Sequence, residues 1–224
     1  MEMKPISSEI ASALKTLPRG LFIVFEGLDR CGKSTQVAKL VNSIQNSGIT
    51  TKKQDFPDRT TPVGQIIDKV LRREIPMATE ALTLLFAANR WEVDTEIRKN
   101  LAAGNVVVSD RFAFSGVAYA LARCPEKDVE ELKNPDRGLA NPDIVFLLNA
   151  SVEVTSTRGE FGNELFERKE LQRKVGESFQ TIKEQNWVQV DATKSIEEIH
   201  DLILESVLAK AKSGISKDVS LLWK

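Results

Sequence analysis

Leu21-Phe22-Ile23-Val24-Phe25-Glu26 runs directly into Gly27-Leu28-Asp29-Arg30-Cys31-Gly32-Lys33-Ser34, with Thr35 next. The first stretch is apolar up to Glu26 and reads as a strand buried on both faces. The second matches G-x-x-x-x-G-K-[ST], and a helical pattern over 33–46 follows, which is the strand–loop–helix context that gives the motif its meaning. Gly27 and Gly32 let the backbone turn its N–H groups toward phosphate oxygens, and the start of the helix adds partial positive charge at the same point. Lys33 is expected to reach the β- and γ-phosphates of ATP, with the Ser34 hydroxyl on Mg²⁺ and Cys31 and Thr35 among the nucleotide contacts. Two charged residues inside the loop, Asp29 and Arg30, exceed what a phosphate nest requires. Arg30 reads as a guanidinium supplied in cis to a transferring phosphoryl group rather than as a counter-charge to Asp29.

Outward from this loop, short runs at 21–26, 50–55, 106–110, 144–149 and 188–191 alternate with helical patterns at 33–46, 63–73, 80–101, 116–123, 171–185 and 196–212. The run from Thr50 is polar and the least strand-like of the five. Such alternation predicts an α/β fold, a doubly wound parallel five-stranded sheet flanked by helices. Thr79 and Ser195 are expected helix N-caps, and Glu198 stands three residues after Ser195 as a capping box requires. Residues 1–18 read as a short helical extension ending near Pro18, 19–213 as the catalytic domain with a lid at about 158–167, and 214–224 as a tail. In open sheets of this kind ligands sit beyond the carboxyl ends of the strands, so function is sought just after each one.

Composition narrows the partners. The 224 residues are 42% hydrophobic and 28% charged, with a formal net charge of -1. That is enough apolar material for a sizeable core, and it lacks the basic excess of a general nucleic-acid binder. Cys31 and Cys124 show no metal-binding or disulfide spacing, as expected of a reducing compartment such as the cytoplasm. No apolar run approaches the ~20 residues of a membrane span, and the first 18 residues lack a secretory pattern and the arginines of a transit peptide.

Two further arginines fall at predicted strand ends. Phe56-Pro57-Asp58-Arg59 follows the second run, and Pro57 keeps Phe56 out of a helix, so Arg59 belongs to a loop. The third run ends Val107-Val108-Ser109-Asp110-Arg111, where Asp110 reads as the strand-end carboxylate near Mg²⁺. Either arginine alone would be commonplace in a surface ion pair; both at strand ends beside the phosphate loop point to a forked clamp on an acceptor phosphate. Phe86 and Arg90, four apart on one helical face, suit a flat base as platform and donor, and equally suit a core ring and a buried ion pair. The glycines and mixed charge of 158–167 suggest a hinged lid that would keep water from the reaction. His200, the sole histidine, is expected at a solvated helix position.

Together these segments resemble thymidylate kinases of the eukaryotic type. The likeness is carried by Phe25-Glu26-Gly27-Leu28-Asp29-Arg30-Cys31-Gly32-Lys33-Ser34-Thr35-Gln36, by Phe56-Pro57-Asp58-Arg59 and by Leu84-Leu85-Phe86-Ala87-Ala88-Asn89-Arg90-Trp91-Glu92. Asp110-Arg111-Phe112-Ala113-Phe114-Ser115-Gly116-Val117-Ala118-Tyr119, Pro142-Asp143 and Val190-Asp191-Ala192 extend it over about 19–224. The resemblance implies transfer of the γ-phosphoryl of ATP to dTMP with Mg²⁺, in a homodimer. It implies that Asp29 meets the deoxyribose 3′-hydroxyl, that Arg59 and Arg111 bind the dTMP phosphate, that Phe86 stacks on thymine and that Arg90 bonds its O4. Tyr119 would lie under the sugar and exclude a 2′-hydroxyl, Phe56, Ser115 and Gly116 would complete the dTMP pocket, and Arg158 and Lys194 would lie at the ATP end. The family's lid reads Gly-x-Glu-Arg-Tyr-Glu, whereas Leu165 and Phe166 here replace the Arg and Tyr, and Phe112 replaces the Tyr of Asp-Arg-Tyr. A kinase for UMP or AMP, or a kinase-like protein that has lost turnover with its lid, are the competing readings. A GTPase-like switch lacks an Asn-Lys-x-Asp run for guanine.

Overall fold

The computed structural model describes residues 6–158, 162 and 164–224. Five strands, β1 (Phe22–Gly27), β2 (Thr51–Asp55), β3 (Val106–Asp110), β4 (Ile144–Asn149) and β5 (Val188–Asp191), form one parallel sheet in the order β2-β3-β1-β4-β5. The chain leaves β1 toward one edge and later crosses to the other, which opens a crevice at the carboxyl end of the central strand. β1 is buried along its whole length, and its residues alternate between two cores. Phe22 and Val24 face the core that holds Ile97, Val117 and Val175; Ile23 and Phe25 face the one that holds Ile10, Leu40 and Ile203. Each such side chain contributes about 1.5–3 kcal/mol by burial, which holds the strand that carries the phosphate loop in place.

Helices α1 (Ser8–Lys15), α2 (Lys33–Gln45) and, at the end of the chain, Ile196–Ser213 cover one face. Helices α3 (Pro62–Leu71), α4 (Thr79–Ala102), α5 (Ala113–Arg123), α6 (Val129–Lys133), α7 (Val152–Thr155), α8 (Lys169–Ile182) and α9 (that final Ile196–Ser213 helix) complete the set. α4, α5 and α8 pack the second face, with Leu222 of the tail buried among them and Leu221 bridging to Ala140. Ile10 and Leu14 of α1, with Ile6 just before it, join the core that holds Leu40 and Ile203, against α9.

The polar second strand is an edge strand, paired only with β3, and Lys52 and Lys53 point outward from it. Exposed lysine on an edge discourages pairing with other chains, which accounts for its weak strand pattern. The Ser195 capping box forms as expected, with Ser195 Oγ accepting from the Glu198 N–H at 3.2 Å.

Three local expectations need correction. Thr79 is the first residue inside α4 and caps nothing; Ala78 holds the cap position without a side-chain bond. α5 begins at Ala113, three residues before the predicted start, because the Glu26 carboxylate accepts the N–H groups of Phe112 at 2.9 Å and Ser115 at 3.0 Å. A residue on β1 thus caps a helix far along the chain, and no local pattern marks that. His200 is buried, its Nε2 3.3 Å from Ser43 Oγ on α2, so it joins two helices instead of facing solvent.

Candidate active site

The turn after β1 holds Gly27 at φ 139° and Gly32 at φ 102°, with Gly32 at the N-cap of α2. A side chain at Gly27 would place its Cβ 2.5 Å from the Leu148 carbonyl oxygen. Arg30 and Arg111 also have positive φ, at 60° and 68°. Left-handed backbone at non-glycine residues costs about 1–3 kcal/mol each and concentrates at working sites. Lys33 Nζ donates to the Leu28 carbonyl at 2.5 Å and lies 3.6 Å from Cys31 Sγ, so the ammonium rests within the loop.

Two clefts meet at this loop. One, of about 340 Å³, lies toward α3, α4 and α5 and takes in Asp29, Phe56, Arg59, Phe86, Arg90, Asp110, Arg111, Ser115, Gly116 and Tyr119. The other, of about 550 Å³, lies toward β5 and α9 and is lined by Cys31, Gly32, Thr35, Arg158 and Lys194. Arg30, Lys33 and Ser34 line both. Every residue expected from the sequence to bind substrate or metal or to act in catalysis falls in one cleft or the other except Gly27, which lines a separate cavity behind the loop and gives its carbonyl to Arg111 Nη1 at 3.0 Å.

Arg30, Arg59, Arg90 and Arg111 face the first cleft and are each held by a carboxylate, whereas Arg123 donates to the Tyr119 carbonyl at 3.0 Å and to Thr83 Oγ1 at 2.9 Å. Arg30 Nε pairs with Glu167 at 2.8 Å. Arg59 pairs with Asp68 and, at 2.6 Å, with Glu164. Arg111 pairs with Asp29 and donates to Ser115 Oγ at 3.0 Å. Arg90 is buried and forks onto Asp136 at 2.8 and 2.7 Å, while still lining the cleft. The ion-pair alternative left open for Arg90 is therefore realised, with its orientation fixed by Asp136.

Charge in the cleft is strongly organised. Burial would raise the Asp29 carboxyl, but Arg111 and then Lys33, with hydrogen bonds from Tyr119 and Gln172, outweigh it and hold it below the usual carboxylate range. Burial raises Glu26 more than Ser115 and Arg111 lower it, and its Oε2 accepts from Ser115 Oγ at 2.5 Å. Burial and the adjacent Asp29 push the Tyr119 hydroxyl well up, so it remains a donor. Arg111 keeps its proton against burial beside the ionised Asp29 carboxylate. Ser34 Oγ donates to Asp110 Oδ2 at 2.5 Å.

Glu164, Phe166 and Glu167, from the segment expected to form a lid, line the same cleft. Gly159, Glu160, Phe161 and Asn163 lie outside the described residues. Phe166 stands 6.3 Å from Phe86 and 5.6 Å from Tyr119, ring centre to ring centre, with the Arg123 guanidinium 4.9 Å over it. The Leu165 N–H donates to the Leu71 carbonyl at 2.9 Å, and its side chain joins the apolar cluster of α3 and α4. Leu165 and Phe166 thus pack by apolar and cation–π contact, at positions where the family pattern carries a guanidinium and a hydroxyl.

Gln172 and Glu26 are site residues that the sequence reading did not pick out. Gln172 could have been noticed: it shares the buried face of α8 with Val175, Phe179 and Ile182, a polar residue on an apolar stripe. Glu26 stood in view at the end of β1, but its partners are 86 and 89 residues away.

The family model described as thymidylate kinase matches residues 25–203. Thymidylate kinase of Plasmodium falciparum is 44% identical over 190 residues, covering 84% of this chain and 90% of its own length. That of Danio rerio is 41% identical over 212 residues, covering 92% and 98%. The solved structure of thymidylate kinase from Candida albicans superposes with a TM-score of 0.82 at 31% identity, covering 91% of this chain and 98% of that one.

Proposed function

The chain belongs to the thymidylate kinase family, transferring the γ-phosphoryl of ATP to dTMP to give dTDP and ADP in dTTP biosynthesis, and from that premise we propose how its side chains divide the work. The observation that carries the reading is the junction of two clefts at Arg30, Lys33 and Ser34. Donor and acceptor enter from opposite sides, and the phosphoryl group crosses where the clefts join.

ATP lies in the cleft toward β5 and α9. Its phosphates follow the amides of residues 27–35, and its adenine end lies near Arg158 and Lys194. Arg158 is held for this by donating to the carbonyls of Arg30 and Ala192. dTMP lies in the other cleft, with its base between Phe86 and Arg90, its sugar over Tyr119 and its phosphate between Arg59 and Arg111. Phosphate oxygens replace the carboxylates of Glu164 and Glu167 as partners of Arg59 and Arg30, exchanging one charge-assisted contact for another. An oxygen of the dTMP phosphate attacks the γ-phosphorus in line, and the bond to the bridging oxygen of ADP breaks. Arg30, Lys33 and Arg111 face the charge spread over the transferring group, and positioning supplies most of the acceleration. Asp29, kept ionised, accepts the 3′-hydroxyl and orients the sugar.

Ser34 and Asp110 are the proposed holders of Mg²⁺. A hydroxyl and a carboxylate 2.5 Å apart supply hard oxygen donors, and Mg²⁺ is commonly bound through one or two protein oxygens with the remainder from phosphate and water. When bound, the ion neutralises charge on the β- and γ-phosphates. A homodimer and a cytoplasmic location complete the proposal. The first is supported by Leu84 and Trp91, exposed on α4 one heptad apart, and the second by two free thiols.

The test is ADP release with a panel of nucleoside monophosphates. Turnover with dTMP should exceed that with UMP, AMP and dCMP; a preference for UMP or AMP would overturn the substrate assignment.

A further inference from the structure

Gln172 is fully buried on α8, yet it reaches the phosphate loop. Its Oε1 accepts the Asp29 N–H at 3.0 Å, and its Nε2 donates to Asp29 Oδ2 at 2.7 Å. The two contacts fix the amide orientation, since a backbone N–H requires an acceptor and an ionised carboxylate requires a donor. The same Nε2 lies 3.1 Å from the Tyr119 hydroxyl and 3.1 Å from the Phe166 carbonyl, so one nitrogen serves the loop, the cleft wall and the lid.

The donors around Asp29 leave little freedom. Oδ1 takes Arg111, and Oδ2 takes both Gln172 and the Tyr119 hydroxyl, the latter at 2.9 Å. A carboxylate offers about four acceptor positions, so one position on Oδ1 remains for a ligand. Without the amide, Oδ2 would lose a donor and the Asp29 N–H its acceptor, and the carboxylate could turn about its bond to the backbone.

We propose that Gln172 is a positioning residue that sets discrimination for the sugar 3′-hydroxyl, by presenting the remaining Oδ1 position of Asp29 to it and tying that geometry to the lid at Phe166. The inference rests on the reading that Asp29 accepts the 3′-hydroxyl. Its consequence is selective: a nucleotide with a 3′-hydroxyl gains from Gln172, and one without it gains nothing.

Calorimetric titration of wild type, Gln172→Met and Asp29→Asn with dTMP and with 3′-deoxythymidine monophosphate tests this. Methionine keeps the length and apolar packing of Gln172 and removes the amide. Gln172→Met should bind dTMP about 10-fold more weakly, the scale of one hydrogen bond to a charged group, and bind the 3′-deoxy nucleotide within about 3-fold of wild type. Retained binding of the 3′-deoxy nucleotide also establishes that the variant is folded. Equal losses with both nucleotides, loss of all binding, or no loss with either would overturn the role of Gln172. If Gln172→Met behaves so while Asp29→Asn still loses dTMP selectively, the Asp29 reading stands and only the inference falls. If wild type itself binds the two nucleotides alike, the Asp29 reading has failed.

Discussion

Arg30 Nε and Glu167 Oε1 stand 2.8 Å apart, joining the phosphate loop to the end of the lid. Arg30 has left-handed backbone and lines both clefts, which puts it at the junction where the proposed path brings donor and acceptor phosphates together. Guanidinium groups that face a transferring phosphoryl are worth about 10³–10⁵ in rate. Arg30→Ala should lower kcat by at least about 10²-fold while changing the KM for dTMP far less. Steady-state kinetics check this; an equal loss carried entirely by KM would make Arg30 a binding residue only.

Arg59 is predicted to act earlier, on binding. Arg59→Ala should raise the KM for dTMP by about 10- to 100-fold, because a charge-assisted phosphate contact is lost. Glu164→Gln removes its competing partner. Both members of that pair are more than a third exposed, and such pairs are worth about 0–1 kcal/mol, so the KM should fall by no more than about 5-fold. A higher KM for Glu164→Gln would mean that the glutamate assists dTMP instead of competing with it.

Glu26 predicts a pH signature in stability. Burial raises its folded pKa above the ordinary 4.5, so from about pH 4.5 upward the folded state holds a proton that the unfolded chain has released. Stability contributed by this group is therefore complete below that pH and declines as pH rises toward the folded pKa. Glu26→Gln should gain melting temperature relative to wild type across that rise. A difference between the two that stays constant with pH would show that Glu26 does not titrate in this way.

His200 carries the opposite slope. Burial first, and then Lys39, lower its folded pKa below 6.5. The unfolded chain takes up a proton near pH 6.5 before the folded state does, so this contribution is complete above that value and is lost as pH falls through the folded pKa. His200→Gln should flatten the acid side of the stability profile near pH 6; an unchanged profile would contradict the assignment.

Leu84→Glu tests the dimer. Leu84 is 57% exposed and Trp91 43% exposed on the same helix. Sedimentation should show wild type as a dimer and the variant as a monomer; a monomeric wild type would remove the proposal.

The phosphate loop, the sheet and most helices were legible because they depend on neighbours in sequence. Continuous apolar runs mark buried strands, and the strand–loop–helix order gives the glycines of residues 27–32 their meaning. What escaped depends on partners brought together only by folding. Glu26 caps α5, Asp136 fixes Arg90, and Ser43 meets His200, each across a long separation. Gln172 is intermediate, since its place on an apolar stripe was visible but its partner Asp29, 143 residues away, was not. The lid shows the same limit: the loss of Arg and Tyr at Leu165 and Phe166 was plain, but the apolar seat on α3 and the stacking under Arg123 were not.

The central claim is that one polyphosphate path runs between the two clefts, past Arg30, Lys33 and Ser34. A crystal structure with adenosine and thymidine joined through a polyphosphate chain tests it most directly. The account predicts adenosine by Arg158 and Lys194, thymidine by Phe86 and Arg90, and the chain wrapped by the amides of residues 27–35. Finding the compound in one cleft alone, with those amides making no phosphate contact, would contradict it.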